Sequence, residues 1–140
     1  MTKISNHFTD TEFFDEMDFE DIVEAGHEPL WHISMKLVQR LEILRSAMAD
    51  EMGEEICLKI NSAYRTYEHN EEVGGAPFSF HKEGKAADVL AYKKVTGELV
   101  PAETVQKVVR ENIKDGGLGC YKTFSHIDIR ESLHLVSWEG

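Results

Sequence analysis

The chain has 140 residues, 41% of them hydrophobic and 29% charged, a size and balance that fit one folded domain over 1–140 and exclude a disordered chain. Its formal net charge is −11 and no basic stripe runs along it, which argues against a nucleic-acid partner. No stretch approaches the roughly 20 apolar residues of a membrane span, and Met1–Asp10 lacks a basic start followed by an apolar run, so synthesis in the cytoplasm without a signal peptide is expected.

The acidity is concentrated at one end. Residues 1–28 hold nine carboxylates against Lys3 alone, and this acidic N-terminal segment reads as the solvated face of one or two helices, with a partner-binding surface as the alternative. Thr9-Asp10-Thr11-Glu12 is a capping-box pattern that starts a helix over Phe8–Asp21. From Pro29 to Met52, Leu30, Ile33, Leu37, Leu41, Leu44 and Met48 recur at three- and four-residue intervals, which predicts a long helix with a core-facing stripe, closed by Gly53.

The period then changes. Ile56–Ser62 reads as a strand, Tyr67–Val73 as a short helix ended by Gly74-Gly75, and Ala86–Tyr92 as a strand followed by a turn at Thr96-Gly97-Glu98. Pro101–Ile113 is a second amphipathic helix, and Leu118–Tyr121, Phe124–Ile129 and Leu133–Trp138 are three further strands. Helices first and short strands later predict an α+β fold, with N-terminal helices packed on a small antiparallel sheet. Cys57 and Cys120 lie far apart, outside any C-x-x-C pair, and read as small buried hydrophobes.

The chemistry concentrates in two stretches. Ser79-Phe80-His81-Lys82-Glu83-Gly84-Lys85-Ala86-Ala87-Asp88 places a histidine and a carboxylate seven residues apart, with Gly84 to turn the chain and two alanines to leave room. A catalytic zinc ion takes three nitrogen or oxygen ligands and keeps one position for water. On its own, a His–Asp pair at this spacing reads more readily as a surface histidine and a strand-end aspartate. Downstream, Gly116-Gly117-Leu118-Gly119 leads into Phe124-Ser125-His126-Ile127-Asp128-Ile129-Arg130.

Together these runs resemble the D-Ala-D-Ala carboxypeptidase and dipeptidase family of zinc peptidases. Ser-x-His-x-x-Gly-x-Ala-x-Asp matches its signature position for position, and Ser62-Ala63-Tyr64-Arg65-Thr66 resembles its Ser-x-Tyr-Arg element. The Gly-Gly-x-Gly and Phe-x-His-x-Asp stretches resemble its small carboxypeptidase-like branch. The resemblance runs from about Asn61 to Trp138, and more weakly back to Phe8.

It implies one Zn2+ per chain on His81, Asp88 and His126, and Arg65 as the anchor for a substrate carboxylate, which a planar guanidinium captures through two bonds. Ser79 reads either as a group orienting substrate or ligand or as a plain turn residue. Many family members carry an acid three residues before the last zinc histidine; here that position is Thr123, which cannot abstract a proton. Asp128 is the candidate catalytic base instead, because residues two apart on a strand share a face. It is alternatively an acceptor that fixes a ligand histidine. Glu83, His69 and His134 stand in reserve.

The implied activity is hydrolysis of bacterial cell-wall (peptidoglycan) peptides next to a D-amino acid, as a D,D- or L,D-carboxypeptidase or an endopeptidase. A short chain without a wall-binding module suits a phage enzyme. The Hedgehog signalling domain shares a related zinc fold, so a non-catalytic zinc-binding module and a phage structural component remain the rivals.

Overall fold

The capping signal at the N-terminus opens only a short turn. Glu12 Oε2 accepts from the Thr9 backbone N–H at 2.6 Å and from Thr9 Oγ1 at 3.1 Å. The 3-10 turn Asp10–Phe13 follows, and α1 (Glu16–Glu24) begins after Asp15, whose Oδ1 accepts from Met17 N–H at 3.0 Å. Glu16, Glu20, Asp21 and Glu24 face solvent, while Ile22 and Asp18 are buried. These elements belong to a computed structural model that describes residues 2–64, 71 and 80–140. The helix expected over Tyr67–Val73 lies almost wholly outside the described residues, as do Arg65, His69 and Ser79.

The long helix starts later than its periodicity suggests. Pro29–His32 forms a 3-10 turn, and α2 spans Met35–Met52. Leu37, Leu41, Leu44 and Met48 have no exposed surface and Ile33 is buried, but Leu30, at the head of the stripe, is 37% exposed. The break at 33–34 has a tertiary cause. Ser34 N–H donates to the Gly84 carbonyl at 3.0 Å, and Gly84 packs so closely on the His32 carbonyl that a Cβ there would overlap it. Ser34 makes no side-chain cap bond. Each buried side chain of the stripe is worth ~1.5–3 kcal/mol, so packing rather than capping docks α2.

Among the described residues six strands form one sheet, five of them in the order β1-β2-β5-β4-β6 with β3 beside β2: β1 (Ile56–Ser62), β2 (Ala86–Lys93), β3 (Leu99–Val100), β4 (Gly117–Cys120), β5 (Ser125–Asp128) and β6 (Val136–Glu139). The short β3 shares with β5 the edge of β2 that β1 leaves open. The fold is α+β, as expected, but the sheet is mixed. β6 runs parallel to β4 with Gly117 opposite Val136, whereas the other pairs are antiparallel. β5 ends beside the start of β4, so the chain need only step round that end to run along the far side of β4 in the same direction. Leu133, expected in this strand, is 93% exposed in the connection.

Helices α2 and α3 (Ala102–Asn112) cover one face of the sheet. Ala87, Val89, Ala91, Leu118 and Ile127 join Leu37, Leu41, Val105, Val108 and Val109 in one core, which also takes Phe8 and Phe13 from the N-terminal segment. Ala87 is thus core rather than space beside a ligand; Ala86 alone points to the other face. Arg40 of α2 donates to the Asp115 carbonyl at 2.8 Å and to its Oδ1 at 3.0 Å, tying the helix to the turn that begins β4. Cys120 is buried, Cys57 partly so, and both are free thiols. Among the described residues no helix is long and apolar enough to cross a membrane.

Gly84 has φ +68° and abuts the His32 backbone. Gly84→Ala should therefore cost more than the ~1–2 kcal/mol that left-handed backbone alone imposes on an L-residue. Urea melts measure this; an unchanged midpoint would show that 32–34 and 84 are not pinned together.

Candidate metal centre

Strand alternation builds two thirds of the site. On β2 and β5, Ala87, Val89 and Ile127 point into the core, so Asp88, His126 and Asp128 point to the opposite face. The antiparallel register sets Asp88 directly across from His126, and Ala86 across from Asp128. The next strand supplies clearance. Gly119 stands opposite His126, and its missing Cβ would lie 2.9 Å from the His126 Cβ and 3.0 Å from the Trp138 ring. Gly117 stands opposite Asp128, where any Cβ would run into the carboxylate. The Gly-Gly-x-Gly stretch is therefore the floor on which the two side chains lie.

His81 comes from the 3-10 turn Phe80–Glu83, which Gly84 ends. It is buried, and its Nδ1 donates to the Ala63 carbonyl just past β1 at 2.6 Å. A carbonyl only accepts, so the proton sits on Nδ1 and Nε2 is left to face Asp88 Oδ1 at 3.4 Å. The His81 and His126 rings meet edge to face, with centroids 5.2 Å apart.

His126 lies between two carboxylates: Nδ1 is 3.1 Å from Asp88 Oδ1 and Nε2 is 2.8 Å from Asp128 Oδ2. Burial alone would raise the Asp88 pKa, but its contacts with the His126 and His81 rings bring it down to about 2. Burial of Asp128 acts in the same upward sense, and there the Arg130 and His126 hydrogen bonds outweigh it and hold the carboxyl below its ordinary range. Burial would lower the His126 pKa; the two carboxylates overcome it and raise it. Both acids are ionised at neutral pH.

The donor set fits a metal ion. One ligand atom each from His81, Asp88 and His126 lies within 4.8 Å of the others. A tetrahedral ion with bonds of ~2.0–2.2 Å sets its ligand atoms about 3.5 Å apart, close to the 3.4 and 3.1 Å separations from Asp88. The outer hydrogen bonds also assign the nitrogens. His81 would bind through Nε2, because Nδ1–H is spent on Ala63. His126 would bind through Nδ1, leaving Nε2–H on Asp128. A ligand imidazole whose other nitrogen is held in this way is the usual arrangement at protein metal sites.

Asp128 does share the face of His126, but it has no exposed surface, and both its oxygens are taken. Oδ1 accepts from Arg130 Nε at 2.9 Å and from the Arg130 backbone at 3.1 Å, while Oδ2 accepts from Arg130 Nη2 at 2.7 Å as well as from His126. Glu83, His134 and Thr123 are all exposed, Thr123 in the β4–β5 turn. Arg130, Gly117 and Gly119 drew no role from the sequence, though one signal was present: His126, Asp128 and Arg130 continue a single two-residue alternation.

Two imidazoles and a carboxylate converging on one point are a donor set that metal-dependent hydrolases use. The family model for Peptidase M15 matches residues 6–128, most of the chain, and the chain belongs to that family of zinc-dependent metallopeptidases. No curated protein matches the chain.

Because the ligands come from β2, β5 and the turn before β2, an ion bound only by the folded chain should stabilise it by mass action. Chelation should lower the melting temperature, and Asp88→Asn should abolish most of the difference. Equal melting temperatures with metal loss confirmed would remove the cluster as a native site.

Proposed function

We propose that this chain is a zinc peptidase that hydrolyses bacterial cell-wall peptides next to a D-amino acid, with one zinc ion per chain held by His81 Nε2, Asp88 and His126 Nδ1. The observation that carries this is the meeting of the three ligand side chains in a member of the M15 family. Two neutral imidazoles and one carboxylate would leave a residual positive charge on zinc, which when bound polarises a carbonyl and acidifies water toward neutral pH. Arg65 receives the substrate's terminal carboxylate, and Ser79 orients substrate beside His81. In sequence Arg65 comes two residues after Ala63, whose carbonyl holds His81, and Ser79 precedes the turn Phe80–Glu83 that carries His81.

Asp128 acts on His126 rather than on water. A base must reach the proton it removes, and Asp128 is wholly buried with both oxygens committed. Its work is to keep the Nε2 proton in place and the Nδ1 lone pair directed at Asp88. The same observation, with Thr123 in the place of an acid, favours as second reading a zinc-binding module without turnover.

Two experiments test these assignments. Arg65→Lys keeps the charge and loses the fork, so cleavage of wall peptides, followed by mass spectrometry, should fall while zinc content holds. Cleavage equal to the parent's would end the anchor assignment. Asp128→Asn should weaken zinc affinity by roughly 10–100-fold, the worth of an outer hydrogen-bond partner. Undiminished zinc binding with turnover down by roughly 10²–10⁴ would instead make Asp128 the base. A zinc-loaded parent that cleaves no wall peptide would leave the binding module standing.

A further inference from the structure

Arg130 is held by three residues, Asp128, Phe80 and Trp138. Its Nε and Nη2 make two parallel bonds to Asp128 at 2.9 and 2.7 Å, a fork that only a guanidinium can present to a carboxylate. Its own backbone N–H adds a third bond to the same group. The guanidinium carbon lies 4.8 Å from the centroids of both the Phe80 and Trp138 rings, within range of a cation–π contact with each.

The partners of this clamp are the neighbours of the ligands. Phe80 precedes His81 in the same short turn. Trp138, on β6, lies 5.2 Å from the His126 ring, centroid to centroid. Asp128 meets His126 Nε2. Arg130 thus ties together the turn that carries one histidine ligand, the strand that carries the other, and the last strand of the sheet. Arg130 and Trp138 both fall beyond residue 128, where the family match ends.

We propose that Arg130 is a positioning residue for the metal centre. Held against the rings of Phe80 and Trp138, it fixes the plane of the Asp128 carboxylate, and Asp128 in turn fixes the His126 ring with Nδ1 toward Asp88. The proposal rests on the zinc-site reading above but not on peptidase activity. A plain ion pair would need only the charge of Arg130. A positioning role needs its planarity and its stack, which lysine lacks.

The test is the zinc dissociation constant, measured by competition with a chromophoric chelator, on the parent, Arg130→Lys, Trp138→Leu, Asp128→Asn and the Arg130→Lys/Asp128→Asn double variant. The visible spectrum of the cobalt-substituted proteins reports ligand geometry alongside. Arg130→Lys should weaken zinc by roughly 10–100-fold, the range for loss of an outer-partner contact, and should shift the cobalt spectrum. The double variant should bind no more weakly than Asp128→Asn, because the two residues act along one path. Trp138→Leu should weaken zinc in the same direction by roughly 2–5-fold, the worth of one cation–π contact.

Zinc affinity of Arg130→Lys within about twofold of the parent's, an effect too small for a lost outer contact, would overturn the proposal, as would losses that simply add. Should Arg130→Lys not fold, Trp138→Leu decides: unchanged affinity and spectrum overturn it. A parent that binds zinc with the expected variant pattern yet cleaves no wall peptide would sink the peptidase reading and leave the clamp intact.

Discussion

A carboxylate without solvent-exposed surface is the constraint around which this site is arranged. Moving an ionised carboxyl out of water costs several kcal/mol even after the surroundings relax, and the loss is recovered only with good geometry and every lone pair satisfied. Asp128 meets those terms through Arg130 and His126. The packing follows from them. Gly117 must lack a side chain because the carboxylate lies where its Cβ would be, and the residue across β2 is the small Ala86. The guanidinium then needs cover, and Phe80 and Trp138 provide it.

The sheet turns that constraint into a ligand set. One alternation runs through β2 and β5, so the side chains that anchor the sheet to α2 and α3 and those that could hold a metal are interleaved, residue by residue, on the same two strands. A one-residue slip would exchange the sets, placing Ile127 at the site and His126 in the core. The apolar packing of Ala87, Val89, Leu118 and Ile127 therefore fixes the register that puts Asp88 opposite His126. On the helix side, Gln106 Nε2 donates to the buried Ser125 Oγ at 3.3 Å, so even the one polar inward residue of β5 is satisfied.

Features written in local periodicity were legible from residues alone. The stripe of α2, the helix after Pro101 and the alternation of β5 follow from spacing, and the histidines and aspartate that the fold brings together stand in motifs short enough to read. What failed to show depends on contacts distant in sequence. The start of α2 moves to Met35 because Gly84, some fifty residues on, occupies the backbone at His32 and Ser34. The parallel direction of β6 comes from where β5 ends, which no local pattern encodes. Asp128 could be placed on the face of His126, but whether it meets water or a cation was decided by Arg130, and a two-residue alternation beyond the end of a strand is weak evidence of contact.

Charge accounting links the clamp to the chemistry. A dication held by two neutral imidazoles and Asp88 would keep a net positive charge, which is what a metal supplies to acidify water. A second bare carboxylate one hydrogen bond away would offset much of it, since charges in a dry site are poorly screened. Asp128 escapes this cost because its charge is matched by Arg130 through two bonds, while the same carboxylate still accepts the His126 Nε2 proton and so keeps that ligand basic. The pair thus separates two effects that a lone acid would combine: it orients and strengthens the histidine without neutralising the metal. That separation requires the cation to stay on Asp128. Two aromatic faces and a fixed fork hold it there; a flexible ammonium free to turn toward solvent or a substrate carboxylate would not.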